Sequence, residues 1–259
     1  MAEEQDMAET GQRKHSRRGI YLLPNLFTTA ALFAGFYAIV AGMADRFEAA
    51  AIAIVIAGVL DGVDGWVARL TNTQSAFGAE YDSLADLVSF GLAPSLVVYQ
   101  WSLVNLGKLG WLAAFLYAAS TALRLARYNT QAGIADKRYF QGLPSPAAAG
   151  AMACMVWVFA DNGVAGNEVV TLALGVTVFA GVLMVSNVRY HSLKAIDFRG
   201  RVPFEAVLMV VVLFLVVFTD PPVVLFSVGI IYGTSGPLLT LLHIRKRRAE
   251  RSAPESPDE

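Results

Sequence analysis

The sequence predicts an all-α fold, a bundle of about eight helices that cross a membrane. Of the 259 residues, 56% are hydrophobic and only 16% are charged, whereas soluble domains carry about 25% charged residues. The hydrophobic residues come in runs of roughly 16–24, close to the ~20 residues that a helix needs to cross a bilayer. Helices are the expected spans because they satisfy their own backbone hydrogen bonds where no water is available.

The apolar runs place the predicted spans in order along the chain. Their ranges are 21–43, 47–68, 83–104, 109–126, 145–160, 168–186, 203–219 and 222–243. Neither an internal repeat nor a soluble domain interrupts them, so residues 20–244 form one predicted membrane domain. Residues 1–19 are expected to be a disordered or interfacial segment, and residues 245–259 a basic and then flexible tail.

Positive charge is distributed unevenly around these spans. With a cytoplasmic N-terminus, the loops on the far side hold only Arg46 and Lys108 of the 20 lysine and arginine residues. This asymmetry is the one that the positive-inside rule describes. The sequence therefore predicts a multi-pass protein of the inner (cytoplasmic) membrane, with both termini on the cytoplasmic side.

Four aspartates lie around the junction of the second and third predicted spans, where charge is costly. The pattern is D-x-x-D-G-x-x-A-R, then eight residues, then G-x-x-x-D-x-x-x-D, with aspartates at positions 61, 64, 82 and 86. An ion in the hydrocarbon core costs about 2.5–3.5 kcal/mol or more. Spacings of three and four put each pair on one helix face. The polar stretch 70–77 is a predicted turn that brings the two pairs together.

Such a carboxylate cluster needs cations, since like charges at close range repel one another. Hard divalent ions with oxygen ligands, Mg²⁺ or Mn²⁺, are the natural partners, and a pair of ions ~3.5–4 Å apart would neutralise a diphosphate. Gly65 and Ala68 leave room for a ligand to approach the backbone, and Arg69 offers a planar fork for phosphate oxygens. Gly78 stands where the chain turns into the third span.

The whole pattern resembles the signature of the CDP-alcohol phosphatidyltransferase family, whose members transfer a phosphatidyl or related group from a CDP-linked lipid to an alcohol and release CMP. The resemblance implies a six-helix catalytic core that depends on a divalent metal, and a homodimer. The implied metal ligands are Asp61, Asp64, Asp82 and Asp86. Asp86 would also be the general base that takes the proton from the attacking hydroxyl. The residues implied for the CDP part of CDP-diacylglycerol are Gly65, Ala68, Arg69, Ser75 and Gly78.

Segments around the signature resemble the membrane-embedded bacterial branch of this family that uses L-serine as its acceptor. These segments are 17–25, 87–94, 124–129 and 137–146. Serine carries a carboxylate that suits a guanidinium, and Arg124 and Arg127 share a helix face. The alternative for both arginines is to anchor the helix at the interface. The other candidates for serine contacts, for which a role in helix ends or packing is equally plausible, are Asn25, Ser89 and Asn129.

Two other functions remain open from the sequence. One is the same chemistry with another acceptor alcohol, glycerol 3-phosphate or inositol. The other is a cation-coupled transporter, which predicts carboxylates near the bilayer midplane and related halves of the sequence. Here the aspartates cluster at one predicted membrane face. None of the three histidines belongs to an H-x-K motif, so a covalent phosphohistidine mechanism is not expected.

Overall fold

The structure, a computed structural model, describes residues 25–71, 75–131, 139–191 and 204–252. The expectations for residues 1–24, for the loop 132–138 and for the end of the tail at 253–259 lie outside the described residues. Within the described part, nearly the whole chain is helical, so the predicted all-α bundle is confirmed.

The first half of the bundle consists of helices joined by short turns. Helix α1 covers Asn25–Met43, and α2 covers Phe47–Thr71. The third span is a continuous helical path made of α3 (Ala76–Asp86), a π-helical turn (Leu87–Leu92) and α4 (Ala93–Trp101). A 3₁₀ turn at Leu103–Leu106 leads into α5 (Lys108–Gln131).

The second half adds shorter helices and one long one. Helix α6 covers Ser145–Asp161, and a 3₁₀ turn at Gly166–Val169 precedes α7 (Val170–Val185). Helix α8 covers Phe204–Thr219, and α9 runs from Pro221 to Ser252. The helix therefore continues past the predicted end of the last span at 243 and through the basic tract that was expected to begin the tail.

Four helices of the described chain are long and apolar enough to cross a membrane. They are Asn25–Met43, Phe47–Val67, Lys108–Thr130 and Pro221–Thr240. Shorter apolar helices lie at Ser145–Asp161 and Val170–Val185. Together with α8 and the α3–α4 path, a helix stands at each of the eight predicted positions.

The centre of the bundle is built mainly from small residues. Ala38, Ala50 and Ala148, on α1, α2 and α6, are completely buried. Helix α6 packs against α2, α4 and α9, which makes it the central helix. A Cβ added to Gly229 of α9 would lie 3.2 Å from the Ala151 Cα of α6. Such close approach of backbones is how helices gain packing energy in lipid.

A short β ladder, which the sequence pattern did not predict, ties two connections together. Strand β1 (Tyr139–Gln141) pairs antiparallel with β2 (Arg189–His191), with Tyr139 opposite His191 and Gln141 opposite Arg189. The ladder joins the segment before α6 to the segment after α7. It fixes the end of α7 close to the end of α5.

Candidate active site

Three of the four aspartates meet at the junction of α2 and α3. Asp61 and Asp64 belong to the later turns of α2, and Asp82 belongs to α3. A carboxylate oxygen from each of them lies within 4.8 Å of the other two. Asp64 is only 6% exposed, while Asp61 and Asp82 are half-buried. The two aspartate faces therefore meet where α2 and α3 adjoin, as the spacing predicts.

The fourth aspartate, Asp86, lies one helical turn further on and outside the group of three whose oxygens converge within 4.8 Å. The Asp86 carboxyl group lies close to that of Asp61 and within electrostatic range of Asp64 and Asp82. Asp86 is the last residue of α3, immediately before the π-helical turn. A π turn adds a residue to one turn of helix and often marks a functional site. Here it begins directly after Asp86.

The chemistry of this donor set fits a hard divalent cation. The ligand atoms that the described residues bring together are carboxylate oxygens, without histidine or cysteine in the group. Mg²⁺ and Mn²⁺ prefer oxygen donors of this kind. Several carboxylates at such short range also need a positive charge to offset their mutual repulsion.

A hydroxyl group on α1 orients one of the aspartates, and the sequence reasoning missed it. Thr28 Oγ1 donates a hydrogen bond to Asp64 Oδ2 at 2.8 Å, and both residues are buried. Thr28 lies three residues after Asn25, so the two share a helix face. A polar side chain on the same face as Asn25, in an otherwise apolar span, is the sequence feature that could have identified Thr28.

Two of the residues expected to bind the CDP group, Ser75 and Gly78, lie at the beginning of α3. Ser75 caps the helix, and its Oγ accepts the Gly78 N–H at 3.0 Å. A Cβ added to Gly78 would lie 3.1 Å from Ser75 Oγ and 3.5 Å from Asn25 Oδ1. Asn25 therefore reaches the first turn of α3, next to the cluster.

The remaining residues expected at the CDP group belong to α2. Gly65 follows Asp64 directly and is half-buried. The side chains of Ala68 and Arg69 lie outside the described part of the structure. Contact with CDP stays a prediction for all five residues, including Ser75 and Gly78.

Arg124 and Arg127, which the sequence treats alike, have different surroundings. Arg127 Nη2 donates to Met184 O at 2.9 Å, and its Nη1 donates to Val185 O at 3.1 Å. These carbonyls end α7, where helical partners are lacking, and cations near a helix C-terminus often bind them. The geometry favours a structural role for Arg127.

Arg124 is buried deeper in the bundle and is only partly satisfied. It is 9% exposed, and its Nη1 donates to Ser145 Oγ of α6 at 3.0 Å. Its Nε is buried and has no hydrogen-bond partner among the described residues. Asp86 lies within electrostatic range of the guanidinium. A buried donor without a partner costs about 1–3 kcal/mol or more when charged, so this group is suited to an anionic ligand.

The last two candidates for serine contacts make bonds between helices. Ser89 Oγ donates to Ala31 O at 3.1 Å in a buried contact, which favours its packing role. Asn129 Nδ2 donates to Ser83 Oγ at 3.0 Å and so joins α5 to α3. A contact of either residue with serine stays a prediction.

Fold and site together define a class: a polytopic helical membrane protein with a cluster of aspartates, able to bind a cation, at the junction of two spans. The chain belongs to the CDP-alcohol phosphatidyltransferase family, whose family model matches residues 21–185. The matched range ends with α7 and holds the first six predicted spans, in agreement with the expected six-helix core.

Named relatives agree with this membership. The CDP-diacylglycerol–serine O-phosphatidyltransferase of Helicobacter pylori (strain J99) is 40% identical over 205 residues, which cover 78% of this chain and 84% of the relative. The enzyme of the same name from Mycobacterium tuberculosis (strain H37Rv) is 43% identical over 148 residues, or 54% of this chain and 51% of the relative. The archaetidylserine synthase of Methanothermobacter thermautotrophicus is 35% identical over 129 residues, or 49% and 54%.

Proposed function

We propose that the protein transfers the phosphatidyl group of CDP-diacylglycerol to the hydroxyl of L-serine, giving phosphatidylserine and CMP. One observation carries the proposal: three signature aspartates converge within 4.8 Å in a chain with serine-transferring relatives. The 40% identity over 78% of the chain supports serine as the acceptor.

The cation site would be formed by Asp61, Asp64, Asp82 and Asp86. The proposed ions are Mg²⁺ or Mn²⁺, two in number, because four carboxylates provide the charge and oxygen donors for a pair. Bound there, divalent ions would neutralise the diphosphate and polarise the phosphorus that carries the glyceride. Gly65, Ala68, Arg69, Ser75 and Gly78 are the proposed contacts to the CDP group.

Asp86 is the proposed general base. It would accept the proton of the serine hydroxyl as the serine oxygen forms a bond to the glyceride-bearing phosphorus. The bond from that phosphorus to the bridging oxygen breaks, and CMP leaves with the bond's electrons. A carboxylate bound to a cation is a weaker base, so the proton would go to an Asp86 oxygen that binds no ion. A direct displacement is proposed, because the site offers no evident covalent nucleophile.

Arg124 is the proposed partner of the serine carboxylate. Its Nε is buried and unsatisfied among the described residues, and Asp86 is close enough to interact with it electrostatically. A carboxylate held by Arg124 would therefore bring the serine hydroxyl towards the proposed base. Charge-assisted hydrogen bonds of this kind are among the stronger ones in proteins.

The proposed setting is the inner membrane, with the site on the cytoplasmic side and the enzyme as a homodimer. The asymmetry of lysine and arginine supports this orientation. Serine would enter from the cytosol, and the acyl chains of CDP-diacylglycerol would stay in the bilayer between helices. Both substrates would then meet at the membrane surface.

An acceptor panel tests the proposal. Purified protein in detergent is given CDP-diacylglycerol and either Mg²⁺ or Mn²⁺, with L-serine, glycerol 3-phosphate or inositol, and CMP release is measured. We expect CMP and phosphatidylserine in equal amounts with serine, and only background CMP with the other two. If CMP is released faster with glycerol 3-phosphate or inositol than with serine, that alcohol and not serine is the acceptor. CMP release at the background rate with all three alcohols would contradict the proposed transferase activity.

A further inference from the structure

Helix α9 lies outside the part of the chain that matches the family model, yet it packs against α6, whose Ser145 holds Arg124. The match ends at residue 185, whereas α9 begins at Pro221. Helix α9 packs along α6 and against β2. Tyr190 of β2 is buried, and its hydroxyl donates to Gly233 O of α9 at 2.9 Å. The position of α9 beside the core is therefore fixed by specific contacts.

These contacts fix the position of Tyr232 on the side of α9 that faces the bundle. The rings of Tyr190 and Tyr232 are in contact, with centroids 5.5 Å apart. Tyr232 is half-buried and lies within electrostatic range of Arg124. Asp86, the proposed base, also interacts electrostatically with the Arg124 guanidinium. Asp86 of α3 and Tyr232 of α9 thus both lie within electrostatic range of the Arg124 guanidinium of α5.

Two hydrogen-bond donors at or near this guanidinium have no partner among the residues that the structure describes. Arg124 Nε is buried without a partner in the described chain, although Ser145 Oγ holds the neighbouring Nη1. For the Tyr232 hydroxyl, the described residues likewise provide no hydrogen bond. A protein rarely leaves a buried cationic donor unsatisfied, because the desolvation cost is not recovered. A ligand with anionic oxygens would satisfy both donors.

We propose that Tyr232 contacts the acceptor and, together with Arg124, selects an acceptor alcohol that carries a carboxylate. This inference rests on the proposed function. In this proposal the six-helix core binds the cations and the nucleotide. A residue of α9, outside that core, contributes to the selection of the acceptor. Members of the family that share the core could then differ in acceptor through their additional helices.

The test is the Tyr232→Phe variant, which removes only the hydroxyl. We expect the KM for L-serine, at saturating CDP-diacylglycerol, to rise about tenfold or more, the usual effect of losing a hydrogen bond to a charged group. The KM for CDP-diacylglycerol and the melting temperature should stay at the wild-type values. Tyr99→Phe is the matched control, since Tyr99 of α4 is also half-buried against the core; its serine KM should not change.

A double variant adds a readout that a purely structural role would not give. If Tyr232 and Arg124 bind the same carboxylate, the effects of Tyr232→Phe and Arg124→Lys on kcat/KM for serine should be non-additive. Independent effects in that cycle would contradict a shared ligand.

The other outcomes are also decisive. An unchanged serine KM in Tyr232→Phe would overturn this inference while leaving the proposed function intact. A lower melting temperature with parallel changes in both KM values would show a structural role and would also overturn it. If the wild-type protein transfers nothing to serine, the proposed function itself fails, which the acceptor panel shows before any variant is made.

Discussion

Asp64 illustrates how a carboxylate is kept in place within a membrane helix. It is 6% exposed, and its Oδ2 accepts the hydroxyl of Thr28 from the neighbouring helix at 2.8 Å. The hydrogen bond holds the Oδ2 oxygen towards α1. Changing a group that orients a metal ligand in this way typically lowers metal affinity or activity about 10- to 100-fold.

The first prediction concerns this hydroxyl. In Thr28→Val the shape of the side chain is kept and the donor is lost, so Asp64 loses its orientation. We expect the Mg²⁺ or Mn²⁺ concentration for half-maximal activity to rise about 10- to 100-fold, with little change in maximal rate at saturating metal. Activity measured across a metal titration checks this.

Thr177→Val is the control for that experiment. Thr177 is fully buried on α7, and its one hydrogen bond within the described residues is to Ala173 O of its own helix, at 2.7 Å. Its metal titration should match the wild type. An unshifted titration in Thr28→Val would mean that the hydrogen bond does not support the cation site.

At the residue scale, the sequence predicted the meeting of the aspartates but not the difference between the two arginines. Spacings of three and four on adjoining helices are enough to bring carboxylates together. Arg124 and Arg127 lie on one helix face, and periodicity cannot separate them. Their roles depend on what faces them: the end of α7 for Arg127 and Ser145 of α6 for Arg124. Those neighbours are set by tertiary packing.

At the scale of elements, α1 and the π-helical turn approach each other unusually closely. A Cβ added to Gly35 of α1 would lie 2.7 Å from the Ser89 Cα, and Ser89 Oγ donates to Ala31 O at 3.1 Å. Only a glycine fits at such a contact between backbones. The contact holds α1, with Thr28, against the helix that carries Asp82 and Asp86.

The second prediction follows from that contact. Gly35→Ala should push α1 away from the π-helical turn, because the clash is with backbone that cannot rotate aside. Overpacking of this kind typically costs about 1–3 kcal/mol. We expect a lower melting temperature in detergent and reduced activity, both measured on purified protein.

Gly175→Ala provides the matched control, since an added Cβ there meets nothing within 4 Å. Alanine also favours the helix over glycine by up to about 1 kcal/mol, so this variant should be as stable as the wild type or slightly more stable. Equal melting temperatures for the two variants would contradict the close-contact account.

The positions of the spans followed from the sequence, but the irregular elements did not. Long apolar runs predict helices well, because lipid leaves the backbone few alternatives. The π-helical turn at Leu87–Leu92 interrupts a run that reads as one span. The β1–β2 ladder pairs residues about fifty positions apart, a contact that no local pattern encodes. The start of the third span at Ala76 was missed since its first turns are polar.

At the scale of the whole molecule, the proposed orientation puts one end of the bundle on the cytoplasmic side of the membrane and the other end on the outer side. The start of α3 lies at the same end of the bundle as the aspartate cluster. The turn between α6 and α7 lies at the opposite end of α6 from Ser145. Cys154 is the single cysteine of the chain and is buried. Engineered cysteines at the two ends can therefore report on orientation without interference.

The third prediction uses Ala76→Cys and Asn167→Cys, both at exposed positions, with a membrane-impermeant maleimide. In intact spheroplasts we expect labelling of Asn167→Cys only, and in inverted vesicles labelling of Ala76→Cys only. The wild type, with buried Cys154, should stay unlabelled in both. The reverse pattern would place the aspartate cluster on the outer face and contradict cytoplasmic entry of serine.

The central claim is that the aspartate cluster holds the cation that drives transfer to serine. The most direct test measures incorporation of labelled serine into lipid by the wild type, Asp82→Asn and Glu80→Gln, with and without Mg²⁺ or Mn²⁺. Glu80 is an exposed carboxylate two residues from Asp82 on the same helix, so it controls for lost charge alone. We expect metal-dependent incorporation by the wild type and Glu80→Gln, and none by Asp82→Asn. Full activity of Asp82→Asn, or undiminished incorporation after metal is chelated, would contradict the account.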